Sequence, residues 1–280
     1  MIKEKNLILN PKAKKPIVYD VLYNQTKSPK PVVIFCHGYK GFKDWGAWQH
    51  MAETFADNGF FFIKFNFSHN GGTIEQPIDF PDLEAFANNN FTQELEDLEH
   101  IINATVTTKQ FMQEADVEKI NLIGHSRGGG IVLIKAEENE KIKKVVSWAG
   151  VSDFSKYFKE ETDDFVNWRE TGVTYVENSR TKQQMPHYFQ FFEDYKSNKK
   201  RLDVKRAAQH IRKPHLIIHG SEDQTVSIEE AKNLHKWHPK SQMEIIEGAN
   251  HVFGAEHPWQ KETMPEDLAE VVRLTVAFLK

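Results

Sequence analysis

Continuous apolar runs alternate with helical stripes along most of the chain. Val32-Val33-Ile34-Phe35-Cys36 is apolar at every position, the pattern of a strand covered on both faces. Trp45 to Asn58 then sets Trp48, Met51, Ala52 and Phe55 at helical spacing, and Gly59 ends that helix. Phe60 to Phe67 reads as a second buried strand. Phe91 to Phe111 predicts a helix with Leu95, Leu98, Ile101 and Ile102 in one core-facing stripe and Glu94, Glu96 and Glu99 in solvent. The alternation continues with strands over Lys119 to Ile123, Lys144 to Ala149, Leu216 to His219 and Met243 to Ile246, and helices over Ile131 to Glu138, Ser227 to Trp237 and Pro265 to Leu279. Strands alternating with helices imply an α/β fold, a mostly parallel central sheet with helices on both faces.

Three stretches depart from that rhythm. Leu7 to Asn10 and Ile17 to Asn24, joined by the polar turn Pro11 to Pro16, predict an antiparallel opening hairpin. Thr73 to Asn90 carries two prolines and little periodicity, and a connection of that length is expected at the rim of a functional site. Phe154 to Arg206 is rich in aromatics and charge without a clear strand. It predicts an inserted cap of helices and loops within a single 1–280 domain, because strand alternation resumes after it.

Composition narrows the function without naming it. The 280 residues are 39% hydrophobic and carry a net charge of -4, which makes no polybasic case for nucleic acid or a membrane surface. Cys36 is the sole cysteine, so an internal disulfide is impossible and a multi-cysteine metal site is excluded. Its place in an apolar run predicts a buried small hydrophobe. The first fifteen residues lack an apolar h-region and no eighteen apolar residues run together, so a soluble, cytoplasmic protein is expected.

The chemistry centres on Gly124-His125-Ser126-Arg127-Gly128, a glycine-framed serine between an apolar strand and a helix. A serine on a sharp strand-to-helix turn is held in a strained conformation, and flanking glycines leave room for the close chain approach. The helix start beyond it favours an anionic intermediate at the same spot. Such a hydroxyl needs a base, most often an imidazole oriented by a carboxylate, from loops at the carboxyl ends of strands. Asp223 follows the strand ending at His219 and is the leading acid, with Glu222 and Asp153 as rivals. His251 follows the strand ending at Ile246 and is the leading base, with His257 as the alternative; His235 and His238 fall on or at the end of a helix. Oxyanion donors are expected at the backbone N–H of Arg127 and at that of Tyr39, in the loop after Cys36. His37 reads as a loop-shaping hydrogen-bonder. The histidines lack metal-ligand spacing such as H-E-x-x-H, and no cofactor or metal is invoked.

The segments His37-Gly38-Tyr39-Lys40-Gly41, Gly124-His125-Ser126-Arg127-Gly128-Gly129, His219-Gly220-Ser221-Glu222-Asp223 and Gly248-Ala249-Asn250-His251 occur together in one order. In this the chain resembles the α/β-hydrolases from about Val32 onward, and is similar to the cinnamoyl (feruloyl) esterase and dienelactone-hydrolase-like branch. The resemblance implies Ser126, Asp223 and His251 as a triad, with Tyr39 and Arg127 as oxyanion donors. It also implies that substrate choice resides in the cap. The expected activity is serine-dependent cleavage of a small-molecule carboxylic ester through an acyl-enzyme. A peptidase, thioesterase or acyltransferase would use the same residues, and the acidic run Glu160, Glu161, Asp163 and Asp164 is either an amine anchor or a solvated face. A non-catalytic binding protein on the same fold is the reading from a different class.

Overall fold

The computed structural model describes residues 1–12 and 14–280. Of the turn expected from Pro11 to Pro16, Ala13 therefore lies outside the described residues. The chain opens with β1 (Ile2–Leu9) and β2 (Ile17–Tyr23), then β3 (Lys30–Cys36), α1 (Trp48–Asp57) and β4 (Phe61–Phe65). After α2 (Leu83–Ala87), α3 (Phe91–Thr107) and the short α4 (Lys109–Met112) come β5 (Ala115–His125), α5 (Arg127–Glu138) and β6 (Ile142–Trp148). A 3-10 turn (Phe154–Tyr157), α6 (Asp163–Thr171), β7 (Val173–Glu177), β8 (Gln184–Tyr188), α7 (Gln190–Ser197) and α8 (Val204–His210) follow. The chain closes with β9 (His215–Gly220), α9 (Ile228–Trp237), β10 (Gln242–Ile246) and α10 (Glu266–Leu279).

Eight strands form the main sheet in the order β1-β2-β4-β3-β5-β6-β9-β10. β2 pairs antiparallel with both β1 and β4, and every pairing from β4 to β10 is parallel. The period of two along each strand divides the core in half. Val32, Ile34 and Cys36 share a cluster with Leu95, Leu98 and Ile102 of α3 and the buried residues of α5, whereas Val33 and Phe35 face Trp48, Met51 and Phe55 of α1 and Val271 and Val272 of α10. Both faces are thus covered, and the strands read as unbroken apolar runs for that reason. Among the described residues no helix is long and apolar enough to cross a membrane.

Three expectations need correction, the third being the place of the Thr73 to Asn90 connection at the rim of the site. The segment after β6 contains a β-hairpin, β7 paired antiparallel with β8, where helices and loops alone were expected. Its strands hide from pattern reading because β7 buries none of its residues and β8 carries Pro186, a residue tolerated on a strand with a free edge. Glu94 is only 3% exposed, against the solvated position expected for it. It stands three residues after Phe91 and four before Leu98, on the buried stripe itself.

The aromatics of the inserted segment belong largely to its own packing. Phe158, Phe165, Trp168, Phe191, Phe192 and Tyr195 join the core cluster on the α3 and α5 side of the sheet. Phe91 stacks on Phe154 with ring centroids 4.0 Å apart, tying α3 to the start of the insert. The Thr73 to Asn90 connection, which includes α2, is stitched to the hairpin by Gln183 Nε2 donating to the Phe80 carbonyl (3.0 Å) and Tyr188 hydroxyl donating to Glu84 (2.6 Å). It buttresses the hairpin through Phe42, Phe80, Phe86 and Met185, and its residues do not line the cavities around Ser126.

Candidate active site

Ser126 sits at the junction of β5 and α5 with φ 57° and ψ -121°, a conformation that costs a non-glycine residue about 1–3 kcal/mol. The backbone around it enforces that turn. Ser126 N–H donates to the Trp148 carbonyl at the end of β6 (2.9 Å), and the Ser126 carbonyl accepts from Gly129 N–H (2.9 Å). The flanking glycines are sterically obligatory: a Cβ on Gly124 would lie 2.1 Å from the Gly128 carbonyl oxygen, and one on Gly128 would lie 2.5 Å from that of Cys36. A Cβ on Gly38 would come 2.7 Å from Ser126 Cβ, which measures how closely the loop after β3 approaches the serine.

Asp223 and His251 follow the carboxyl ends of β9 and β10, two and three strands along the sheet from β5. His251 Nδ1 donates to Asp223 Oδ2 at 2.7 Å. The other oxygen of Asp223 accepts from Thr225 N–H and Val226 N–H, each at 2.8 Å. Burial alone would raise this carboxyl, but hydrogen bonds from His219 and His251 hold it well below the usual carboxylate range. Ser126 and His251 line the same cavity of about 610 Å³, which also touches Tyr39, Asp153, Lys156 and Glu230. Among the described residues, Ser126 Oγ has no hydrogen-bond partner, and neither Tyr39 N–H nor Arg127 N–H is taken up by a protein acceptor.

The rival residues are engaged elsewhere. Glu222 is exposed, and Asp153 caps the 3-10 turn by accepting from Ser155 N–H and Oγ, both at 2.8 Å. His257 Nδ1 accepts from Gly46 N–H at 2.9 Å, and His235 is bonded to Ser241. A second serine–histidine contact, Ser147 Oγ to His215 Nε2 at 2.9 Å, is sealed inside the sheet at 0% and 1% exposure with no carboxylate beside it. No substrate reaches that pair. His37 has both ring nitrogens occupied: Nδ1 donates to the Gly38 carbonyl (2.9 Å) and Nε2 accepts from Phe67 N–H (3.3 Å). Burial, reinforced by the Arg127 charge, lowers it to about 4, so it shapes the loop as a neutral ring.

Three participants escaped sequence reasoning. His125 Nε2 donates to the His251 carbonyl at 2.9 Å; burial, with the neighbouring His251, lowers its pKa to about 3. His219 Nε2 donates to the Val226 carbonyl at 2.8 Å and lies 3.3 Å from Asp223 Oδ2, tightening the acid's loop. Glu94 accepts from Arg127 Nη1 at 3.2 Å, while the guanidinium lies over the rings of Tyr39 (4.4 Å) and Tyr157 (4.6 Å). His125 and His219 each sit beside a strand end that carries a candidate group, and Glu94 falls at stripe spacing. Those are the only signals the sequence held for them.

Beyond Tyr39 and Tyr157 a second cleft of about 590 Å³ opens between α6 and the hairpin, with Arg127, Trp168, His187 and Phe191 in its walls. Tyr39 and Tyr157 wall both cavities, and the second sets aromatic side chains beside polar ones, among them Lys159, Asp164 and Asn167.

The arrangement of sheet, elbow and strand-end loops has counterparts among known proteins. No curated protein sequence matches the chain significantly. In solved structures the same fold recurs at low identity. A putative hydrolase from Agrobacterium vitis superimposes with a TM-score of 0.75 at 17% identity, covering 100% of both chains. The Est1E protein of Butyrivibrio proteoclasticus with bound ferulic acid gives 0.73 at 16% identity, over 98% of this chain and 97% of that one. A dienelactone hydrolase from Anabaena variabilis gives 0.65 at 17% identity, over 98% and 95%. At the level of sequence, the profile described as alpha/beta hydrolase fold matches residues 31–180, which run from β3 through the elbow into the hairpin. On that match and the architecture that carries it, the chain belongs to the alpha/beta hydrolase fold family.

Proposed function

We propose that the chain hydrolyses carboxylic esters through an acyl-enzyme on Ser126. The observation that carries this reading is the 2.7 Å contact from His251 Nδ1 to Asp223, made beside the strained serine in a shared cavity. A neutral His251 with its Nδ1 proton on Asp223 leaves Nε2 free to accept the serine proton. Ser126 Oγ attacks the ester carbonyl, and the C–O bond breaks as His251 returns the proton to the leaving alcohol. Water then enters, gives its proton to His251, attacks the acyl carbon and releases the acid with regeneration of Ser126. The backbone N–H groups of Tyr39 and Arg127 are the proposed donors to the oxyanion, each typically worth about 10²–10³ in rate.

The aromatic cleft behind Tyr39 favours an apolar or aromatic acyl group. Est1E, which shares the fold, is known with ferulic acid bound, and this supports the same preference here. In this reading residues 154–206 are the cap that sets specificity. The acidic run of that segment is exposed at the start of α6, and of its four carboxylates Asp164 alone lines the 590 Å³ cleft, the position an amine anchor requires. The direct test is hydrolysis of short p-nitrophenyl esters. Wild-type protein is expected to turn them over and to be labelled at Ser126 by a fluorophosphonate, and Ser126→Ala to do neither. An active Ser126→Ala protein would refute the assignment. Hydroxycinnamoyl and acetyl esters of one alcohol, compared by kcat/KM, measure the acyl preference.

A further inference from the structure

The two residues proposed to bear the oxyanion donors touch each other through their side chains, and one of them is held from the hairpin. Arg127 Cζ lies 4.4 Å from the centroid of the Tyr39 ring, so the guanidinium supports one face of that ring. At the ring's far end the Tyr39 hydroxyl is 2.7 Å from Nε2 of His187, which is on β8. His187 is 7% exposed, and its carbonyl accepts from Trp168 Nε1 of α6 at 2.8 Å. Its ring also packs against Phe191 of α7 and Phe86 of α2, with centroids 5.5 and 5.2 Å away. This imidazole is thus fixed from several elements. The loop that carries Tyr39 runs over residues 37–47 with glycines at 38, 41 and 46, and Gly38 approaches Ser126 Cβ too closely for any side chain. A small displacement of that loop would move the Tyr39 N–H directly relative to the serine.

We infer that His187 is a positioning residue for the reaction, acting through the Tyr39 hydroxyl to hold the oxyanion loop, so that the hairpin β7–β8 is part of the catalytic machinery as well as a substrate wall. The inference rests on the esterase reading and deepens it. Burial, with the charges of Arg127 and Lys40, lowers His187 to about 3, so the ring stays neutral and shares one hydrogen bond with the Tyr39 hydroxyl through Nε2. Burial likewise keeps the Tyr39 phenol protonated. The same two rings wall the 590 Å³ cleft, so an acyl group seated there packs against the pair that sets the donor.

A positioning role predicts a particular kinetic signature. Removing the hydrogen bond by Tyr39→Phe or His187→Phe is expected to lower kcat between about tenfold and a hundredfold, the cost of a displacement near 1 Å, with KM nearly unchanged. Inhibition by a trifluoromethyl ketone, whose adduct places an oxyanion in the hole, is expected to weaken by the same factor as kcat/KM. His187→Gln, which restores an acceptor near the position of Nε2, is expected to recover most of the rate. The double Tyr39→Phe, His187→Phe variant should be no slower than the slower single one. Tyr39→Phe removes a single oxygen and decides the matter if His187→Phe does not fold. A Tyr39→Phe enzyme with kcat within twofold of wild type, or one altered only in KM, overturns the inference. A wild-type chain that cleaves no ester refutes the reading beneath it. Wild-type turnover with inactive Ser126→Ala and full-rate Tyr39→Phe refutes the present inference alone.

Discussion

His125 donates from Nε2 to the main-chain carbonyl of His251 at 2.9 Å, so the residue just before the elbow serine holds the loop that brings the imidazole to it. The rings of the two histidines lie 4.8 Å apart, and Trp48 packs against His125 at 5.4 Å. With its pKa lowered to about 3 by burial, His125 is a neutral donor throughout the range in which a serine hydrolase would work. His125→Phe keeps the packing and deletes the bond. It is expected to cost about tenfold to a hundredfold in kcat while leaving fluorophosphonate labelling confined to Ser126. Unchanged kcat would mean that the loop holds His251 without this contact.

The elbow glycines give a prediction about folding. Gly124→Ala puts a carbon 2.1 Å from a backbone oxygen, and relief would require β5 or α5 to move as a whole. Loss of soluble, cooperatively melting protein is the expected result, whereas Gly59→Ala, where nothing lies within 4 Å, should fold with only the strain of its positive φ. Comparable thermal melts for the two variants would contradict the steric account.

A buried charge cluster that includes Lys43 and Asp44 of the loop after β3 supplies another. Lys43 and Lys64 are both fully buried, each bonded to Asp20 at 2.8–2.9 Å, and both also pair with Asp44. Two cations and two anions balance, so removing one leaves an uncompensated buried charge, typically at a cost of about 3–5 kcal/mol. Lys64→Met should therefore lower the denaturant midpoint strongly. The double Lys64→Met, Asp44→Leu variant should recover part of it, since the pair leaves together. A double variant less stable than the single would show that the quartet acts through something other than charge balance.

Much of this architecture is legible in the sequence for identifiable reasons. Val32 to Cys36 reads as a central strand because both faces are covered, and Ser126, Asp223 and His251 are nameable because each follows the end of a parallel strand. What escapes the sequence depends on tertiary neighbours. Glu94 looks like a surface acid until Arg127 of α5 lies opposite it, and β7 buries none of its residues and so shows no alternation to read. His187 has no signal beyond its identity and His125 only its place beside the elbow serine, because their roles reside in partners far along the chain.

Stability against pH follows from the buried imidazoles. In the folded chain His37 is lowered to about 4 and His125, His187 and His215 to about 3, in each case chiefly by burial. The unfolded chain takes up protons on these groups below about pH 6.5, where the folded chain refuses them, so stability falls as pH drops from about 6.5 towards 4. Asp97 runs the other way. Burial raises it to about 7, so the folded state holds a proton that the unfolded state releases, and this contribution is lost as pH rises through 7. The imidazoles outnumber it, and the denaturant midpoint should be lower at about pH 5 than at about pH 7.5. Asp97→Asn, which can still accept from Ser68 N–H, should gain stability relative to wild type only on the alkaline side. A midpoint that rises on acidification would reverse the assignment.

The sharpest expectation concerns Asp223→Asn. Oδ1 of Asp223 accepts from two backbone N–H groups, so the oxygen of an asparagine is expected to stay there and its amide nitrogen to face His251. Two donors then meet at 2.7 Å. The imidazole resolves this by moving its proton to Nε2, the tautomer that cannot accept from Ser126. The fold should survive, since the loop's backbone bonds remain, while kcat falls about 10⁴-fold and the rate of fluorophosphonate labelling falls with it. Raising the pH should not restore the rate, because the defect is one of tautomer and not of ionisation. Asp223→Ala, which leaves the tautomer free but the ring unheld, should lose less than Asp223→Asn at equal folded fraction. If the two variants lose activity equally, the carboxylate's contribution lies in its charge and not in the proton position it imposes.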